Sequence, residues 1–131
     1  MMKEISFLQF IALLLPILFF SAAFHELGHA IAAKSFGIPV SGSGFGLVSP
    51  PYIAVGSAHP LQEVVIASAG PLMNLLIAFI LFFVRKITGE RYSYAIGLAL
   101  RTNLYLFILN IIPVPGFNGW HIFRGFIRFF A

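Results

Sequence analysis

The stretch from Ile5 to Ala33 is apolar almost throughout, and its only charged residue is Glu26. About 20 apolar residues are enough for a helix to cross the hydrocarbon core of a bilayer. Because backbone polar groups in lipid must find partners inside the protein, a helix is the form that such a stretch adopts. The sequence therefore predicts a membrane-spanning helix with an ionisable group in its last third.

Glu26 lies between two histidines, His25 and His29, in the sequence His-Glu-Leu-Gly-His. On a helix the two imidazoles are one turn apart on the same face, where both can bind one Zn²⁺ ion, and the glutamate between them can take a proton from water. The alternative is a buried polar cluster without a metal, but unpartnered ionisable groups are costly in lipid. We therefore expect a zinc site inside the bilayer.

The composition agrees with a membrane protein. Of 131 residues, 60% are hydrophobic and 9% are charged, and the mean hydropathy is +0.97, which lies outside the range of soluble domains. This length has room for about three spans, so we expect a single domain over residues 1–131. The absence of Cys excludes disulfides and thiolate metal sites. The net charge of +4 indicates contact with lipid headgroups rather than with nucleic acid.

A signal peptide is an alternative for the N-terminal segment. The small residues 21–23 resemble a cleavage site, and cleavage there would leave His25 at a frayed chain end. The apolar pattern continues to Ala33, as in an uncleaved span, so we expect the segment to be retained. Gly37 and Pro39 then predict the end of the helix.

The second apolar segment runs without charge from Val64 to Val84 and begins with Ala-Gly-Pro-Leu-Met-Asn at residues 69–74. Gly70 permits close approach of another helix, and Asn74 is a polar group that needs a partner in lipid. Glu63, just before this segment, is expected to be a charge favoured at a helix start.

The third segment, from Thr102 to Phe123, is interrupted by Pro113 and Pro115. Two prolines so spaced cannot lie inside one regular helix. Non-helical backbone at membrane depth is tolerated where protein buries it or where it lines a wet cavity, so we expect this broken helix to face a site. The pattern leaves open whether Arg101 lies at an interface or inside a longer helix.

Residues 37–60 are rich in Gly, Ser and Pro and too interrupted for a fourth span. We expect a short β-hairpin or a re-entrant element here, which could receive an extended substrate by strand addition; a surface loop is equally compatible with the composition. The predicted fold is thus an all-α membrane protein with three transmembrane segments, the third broken at its prolines, and a short element between the first two.

Three motifs in successive spans resemble those of the site-2 protease family of intramembrane zinc metalloproteases. They are HELGH at residues 25–29, AGPLMN at 69–74 and NIIPVPGFNGWH at 110–121. The resemblance implies that His25 and His29 bind zinc and that Glu26 is the general base. It further implies that Asn110 steadies the substrate or the developing oxyanion, and that Asn74 is the asparagine of the second motif. Hydrolysis of peptide bonds within or near transmembrane helices is the implied reaction.

Asn118 departs from the family pattern, in which an Asp-Gly pair supplies the third metal ligand. An amide oxygen is a neutral and weaker donor than a carboxylate, so it would leave the full charge of zinc uncompensated in a low-dielectric site. Three explanations are compatible with this: a variant inactivated for trapping, a natural pseudoenzyme, or an enzyme that tolerates Asn118 or recruits His121. Deamidation of Asn118 before Gly119 is a further hypothesis.

The sequence supports two main hypotheses for function. The first is a zinc endopeptidase in the cell membrane, a multi-pass protein whose substrates are transmembrane proteins in the lipid bilayer. The second is a non-catalytic pseudoprotease that binds transmembrane helices without cutting them. Glu26 favours the first and Asn118 the second. A small metal transporter would need polar residues on both sides of the site, and the sequence has none beyond the cluster. Nucleic acid is not an expected partner.

Overall fold

The computed structural model describes residues 5–44 and 52–131. Four helices and two strands account for most of this part of the chain, and three of the helices are long and apolar enough to cross a membrane. The predicted all-α membrane fold is confirmed. In chain order the elements are α1 (Phe7–Ser35), β1 (Val40–Gly44), β2 (Tyr52–Val55), α2 (Pro60–Ile87), α3 (Glu90–Ile111) and α4 (Asn118–Phe130).

Helix α1 begins with a capping box, in which the Ser6 hydroxyl accepts from the Gln9 backbone N–H and the Gln9 side chain accepts from the Ser6 backbone N–H. The helix includes Pro16 and continues to Ser35. Gly37 follows with a φ of 70°, a left-handed conformation that glycine adopts without steric cost. The predicted helix end at Gly37 is therefore confirmed.

Strands β1 and β2 pair antiparallel, with Val40 opposite Val55 and Gly44 opposite Tyr52, and with an irregularity between Val40 and Gly42. This pairing agrees with the hairpin alternative for the segment between the first two spans. The residues that connect the two strands, 45–51, lie outside the described part of the chain. Gly56, after β2, donates its backbone N–H to the Pro39 carbonyl oxygen and ties the two ends of this element together.

Helix α3 corrects the expected position of the third span. It begins at Glu90 rather than Thr102, and Arg101 lies inside it. A membrane-spanning helix does not have to be free of charge along its whole length. Its ends can carry charged residues in the headgroup region, and one arginine within it does not prevent the helix from forming. Of the two positions left open for Arg101, the structure shows the one inside a longer helix.

The prolines end α3, as predicted. Residues 112–117 are non-helical, Gly116 has a φ of 98°, and α4 starts at Asn118. Gly119 lies against the carbonyl oxygens of Ile111 and Ile112, where a Cβ would not fit. The segment after the break is thus a separate helix of 13 residues, too short to cross the hydrocarbon core.

Helix α2 is the centre of the bundle and packs against α1, α3 and α4. The buried residues between the helices include an unusual share of polar side chains, whereas the large apolar side chains are mostly exposed on the outer surface. An apolar exterior suits lipid, since a bilayer gives no hydrophobic incentive to bury such side chains. The buried polar residues are Ser21, His25, His29, Asn74, Thr102 and Asn103.

Candidate metal centre

The two histidines of α1 point their Nε2 atoms at the same place. These atoms are 3.1 Å apart, and the two residues, His25 and His29, are 6% and 8% exposed. The potential ligand atoms of His25, Glu26 and His29 all lie within 4.8 Å of one another. Zn–N bonds of about 2.0–2.1 Å at a tetrahedral angle would place two nitrogens about 3.3 Å apart, close to the observed separation. The pair has the spacing that one zinc ion needs.

The Nδ1 atoms of both imidazoles face oxygen acceptors. His29 Nδ1 lies 2.6 Å from the Ile66 carbonyl oxygen, and His25 Nδ1 lies 2.5 Å from Asn74 Oδ1. Because these oxygens accept, each Nδ1 carries the proton and each Nε2 carries a lone pair. Two lone pairs so close are unfavourable unless a cation or a donor lies beside them, so the donor set fits a metal ion.

Asn74 owes its orientation to α1 and α3. Its Nδ2 donates to the Ser21 carbonyl oxygen at 3.1 Å and to Asn103 Oδ1 at 2.9 Å, which leaves Oδ1 for His25. Asn103 is oriented in turn, since its Nδ2 donates to Ser21 Oγ and to the Ala99 carbonyl oxygen, both at 2.9 Å. A backbone carbonyl can only accept, so Ser21 and Ala99 determine which way each amide faces.

Asn103 is the main site residue that the sequence analysis missed. It is 2% exposed and lies in α3 at the level of Asn74 in α2. A signal was present, because an asparagine within a charge-free apolar stretch needs a polar partner in lipid. That signal does not name the partner, which depends on how the helices pack.

Asn118, the first residue of α4, also reaches the histidines. Its Nδ2 lies 2.7 Å from His25 Nε2 and 3.3 Å from Asn110 Oδ1, and Asn110 Nδ2 donates to the Leu106 carbonyl oxygen. The structure therefore brings all six predicted site residues into one cluster. The nitrogen of the Asn118 amide faces the imidazole, so the amide must turn its oxygen inward before it can bind a metal.

Residues 12–92 match the model of peptidase family M50. The chain belongs to this family. The matched residues include His25, Glu26, His29 and Asn74, and they end before Asn110 and Asn118. The resemblance to site-2 proteases is thereby confirmed.

Two relatives agree with this assignment. The chain is 32% identical over 124 residues to a zinc metalloprotease of Methanocaldococcus jannaschii, an alignment that covers 90% of this chain and 35% of the relative. It is 27% identical over 145 residues to a candidate zinc metalloprotease of Bacillus subtilis, with coverage of 82% and 65%. The chain thus spans about a third of the archaeal relative and less than two thirds of the bacterial one.

His121 lies beside Glu63 rather than beside His25 and His29, where it would have to lie to replace Asn118 as a metal ligand. Its Nδ1 lies 3.3 Å from Glu63 Oε1, which also accepts from Arg124 at 2.6 Å, while Glu63 Oε2 accepts from Arg128 at 2.8 Å. Among the histidine and carboxylate side chains of the described residues, those close enough to share one ion are His25, Glu26 and His29. Glu63, His121, Arg124 and Arg128 form a charged cluster that joins the start of α2 to α4. The position of Glu63 at a helix start did not predict this role.

A cavity of about 410 Å³ lies between the metal centre and this charged cluster. It is lined by His29 and Asn118 and also by Arg124 and Arg128. Both arginines are about half exposed. Water can therefore reach His29 through this cavity, although both histidines of α1 lie in the interior of the bundle.

Gly70 provides the open space beside the two Nε2 atoms. A Cβ at this position would lie 2.6 Å from His25 Nε2 and closer still to the His29 ring. We expect Gly70→Ala to lower the free energy of unfolding by about 1–3 kcal/mol, as forced overpacking does, and to weaken zinc binding because the methyl group occupies the space beside the ligands. Thermal unfolding and zinc competition titrations measure the two effects.

Gly97→Ala is the matched control for Gly70→Ala. Gly97 is also a buried helical glycine, but a Cβ there meets the Arg85 side chain at 3.4 Å, an ordinary contact. Zinc binding should be unchanged in this variant. If both variants bind zinc with equal affinity, the metal does not occupy the space next to Gly70.

Proposed function

We propose that the chain is an intramembrane zinc endopeptidase that hydrolyses peptide bonds within or near transmembrane helices of membrane proteins, and that it is a multi-pass protein of the cell membrane. The observation that carries the proposal is the pair of imidazole Nε2 atoms 3.1 Å apart, with the Glu26 carboxylate beside them, inside a membrane-spanning helix of an M50 chain. Such groups are costly at membrane depth and mark functional sites.

His25 and His29 would hold the zinc ion, and Asn118 Oδ1 is the third candidate ligand. When bound, zinc supplies a Lewis acid that polarises a carbonyl and activates water. The hydrogen bonds from Nδ1 to Asn74 and to the Ile66 carbonyl keep both Nε2 lone pairs available for the ion. The Gly70 backbone leaves space beside them.

Glu26 is the general base in this proposal. Its carboxylate takes a proton from the attacking water and delivers it to the amine that leaves when the peptide bond breaks. Asn110 is placed to act on the substrate, since it contacts Asn118 next to the histidines. Its amide nitrogen carries two hydrogens and can donate to the oxyanion that develops on the substrate carbonyl.

Substrate and water need separate routes to this site. The cavity that His29 shares with Arg124 and Arg128 supports a path for water. A substrate helix must unwind locally, because its own hydrogen bonds occupy the backbone carbonyl that is to be attacked. The hairpin of β1 and β2 packs against α1 and could hold the unwound segment by strand addition.

A pseudoprotease is the second candidate, and the Asn118 amide is the observation that favours it. Asn118 donates a hydrogen bond to His25 Nε2, which is the lone pair that zinc needs. Hydrogen bonds then join His25 to Asn74 and Asn118, and Asn118 to Asn110, without a metal. In this alternative the chain binds transmembrane helices and does not cleave them.

Zinc-dependent cleavage by the purified chain separates the two candidates. The chain in lipid vesicles is mixed with a transmembrane test substrate before and after chelation, and cleavage and bound zinc are both measured. We expect cleavage that a chelator stops and added zinc restores. Zinc-free protein that binds the substrate but leaves it intact would overturn the protease proposal and support the pseudoprotease.

A further inference from the structure

The outward face of α3 carries a positive charge close to the middle of the bundle. Arg101 is the twelfth of the 22 residues of α3, and its side chain is exposed. Asn103, two residues further on and about 3 Å along the helix axis, is hydrogen bonded to Asn74, which lies at the middle of α2. Arg101 therefore lies within one helical turn of the centre of the membrane-spanning part.

An arginine at this depth is unusual on a surface that faces lipid. The headgroups lie about 15 Å from the middle of a bilayer, farther than an arginine side chain extends. Charged residues in spans almost always face the bundle interior, line a water-filled cavity or pair with another group. Arg101 faces away from the interior, which the neighbouring residues Thr102 and Asn103 occupy.

A second polar group lies on the same face. Tyr105, one turn after Arg101, is 63% exposed, and Leu104 and Ile108 continue the exposed surface. Residues spaced by three, four and seven positions share one side of a helix. The face thus combines two hydrogen-bond donors with flanking apolar side chains, and polar side chains in a membrane helix hydrogen bond to groups on a neighbouring helix.

The described part of the chain offers no carboxylate to pair with Arg101. Glu26 belongs to the metal centre, Glu63 is bound by Arg124 and Arg128, and Glu90 is eleven residues away at the start of α3. A second copy packed on this face about a two-fold axis would place one Arg101 against the other. Like charges in lipid exclude that arrangement.

We propose that the face of α3 formed by Arg101, Leu104, Tyr105 and Ile108 is a docking surface for a partner transmembrane helix that carries a carboxylate at mid-membrane depth. The carboxylate and the guanidinium form a bidentate ion pair, the Tyr105 hydroxyl lies one turn away, and the apolar side chains pack against the partner helix. The proposal does not depend on zinc or on cleavage, because it rests on a different face from the metal centre.

Energy transfer in vesicles tests this surface. The chain has no Cys, so a donor dye can be attached at Gly89→Cys, where the added Cβ has no atom within 4 Å. The probes are acceptor-labelled polyleucine peptides of about 20 residues with a central Glu, Gln or Leu, in phosphatidylcholine vesicles. We expect the Glu peptide to associate about 10-fold more tightly than the Leu peptide, the size of a good interhelical polar contact.

Variants assign that preference to Arg101. Arg101→Leu should lose it, and Arg101→Lys should keep only part of it, because an ammonium retains the charge but cannot form the bidentate pair. Arg91→Leu, at the end of the same helix, should leave it unchanged. The proposal is overturned if the Glu and Leu peptides associate equally, which would mean that the guanidinium reaches the headgroups instead. Preference that survives in Arg101→Leu, or transfer between labelled copies of the chain in place of transfer to the Glu peptide, also overturns it.

Discussion

Replacing Asn118 by Asp is expected to raise the zinc affinity of the chain by at least about 100-fold. Loss of a group that only hydrogen bonds to a metal ligand already costs about 10- to 100-fold, and this change adds a charged ligand itself. The carboxylate neutralises half of the charge of the ion. It also has no N–H, so the hydrogen bond from Asn118 Nδ2 to His25 Nε2, 2.7 Å in the present chain, no longer competes with zinc.

Competition titrations with a chelating dye measure the affinity, and Asn110→Asp is the matched control. Asn110 lies beside Asn118 but contacts its amide rather than an imidazole, so a carboxylate there should raise the affinity far less. Equal gains in both variants would mean that added charge near the site, rather than a third ligand, accounts for the effect. No gain in Asn118→Asp would remove Asn118 from the ligand set.

Asn118→Asp also distinguishes an enzyme of reduced activity from a pseudoprotease that cannot be reactivated at this position. We expect Asn118→Asp to cleave a transmembrane test substrate faster than the unmodified chain does. Adding Glu26→Gln to it should remove cleavage while zinc binding persists, because the amide cannot take a proton from water. If Asn118→Asp binds zinc but cleaves nothing, the pseudoprotease becomes the better description of this chain.

The histidine pair could be predicted because the geometry that makes it is local. His25 and His29 are one turn apart on any α-helix, so the sequence determines their shared face without knowledge of the fold. The helix end at Gly37 and the break at Pro113 and Pro115 are local in the same sense, since each follows from the dihedral angles that these residues allow. Both appear in the structure where the sequence predicts them.

The partners of these residues could not be predicted, because they depend on how the helices pack. Asn74 contacts α1 at Ser21 and α3 at Asn103, 53 and 29 residues away. No spacing rule joins such distant positions. The same holds for Glu63, whose place at a helix start was evident but whose partners Arg124 and Arg128 lie more than 60 residues later.

The start of α3 was misplaced for a different reason. The sequence contains charges at Glu90, Arg91 and Arg101, and a search for charge-free stretches excludes all three. Glu90 and Arg91 lie at the end of the span, where headgroups and water are near, whereas Arg101 lies inside it. An arginine within a membrane-spanning helix indicates that a polar or charged group lies close to it. A search that ends each span at the first charged residue misses this indication.

Asn103→Leu is expected to weaken zinc binding by about 10-fold, although Asn103 does not touch the histidines. The change removes the Oδ1 atom that accepts from Asn74 at 2.9 Å and leaves the 3.1 Å bond to the Ser21 carbonyl as the one that orients Asn74. The Asn74 amide can then turn its nitrogen toward His25 Nδ1, which favours the tautomer whose proton blocks Nε2. Removal of a hydrogen bond that orients a metal ligand lowers metal affinity by about 10- to 100-fold.

Two measurements distinguish this positioning role from a general loss of stability. Nitrogen-15 spectra of the imidazoles in metal-free protein report the tautomer of His25, which should shift in Asn103→Leu and remain in Asn103→Asp, where an acceptor oxygen is kept. Thr102→Val is the control, since Thr102 is also buried in the same helix. If Asn103 acts through Asn74, Asn103→Leu should weaken zinc binding little further in an Asn74→Leu background. Additive losses would show instead that Asn103 supports the site through packing alone.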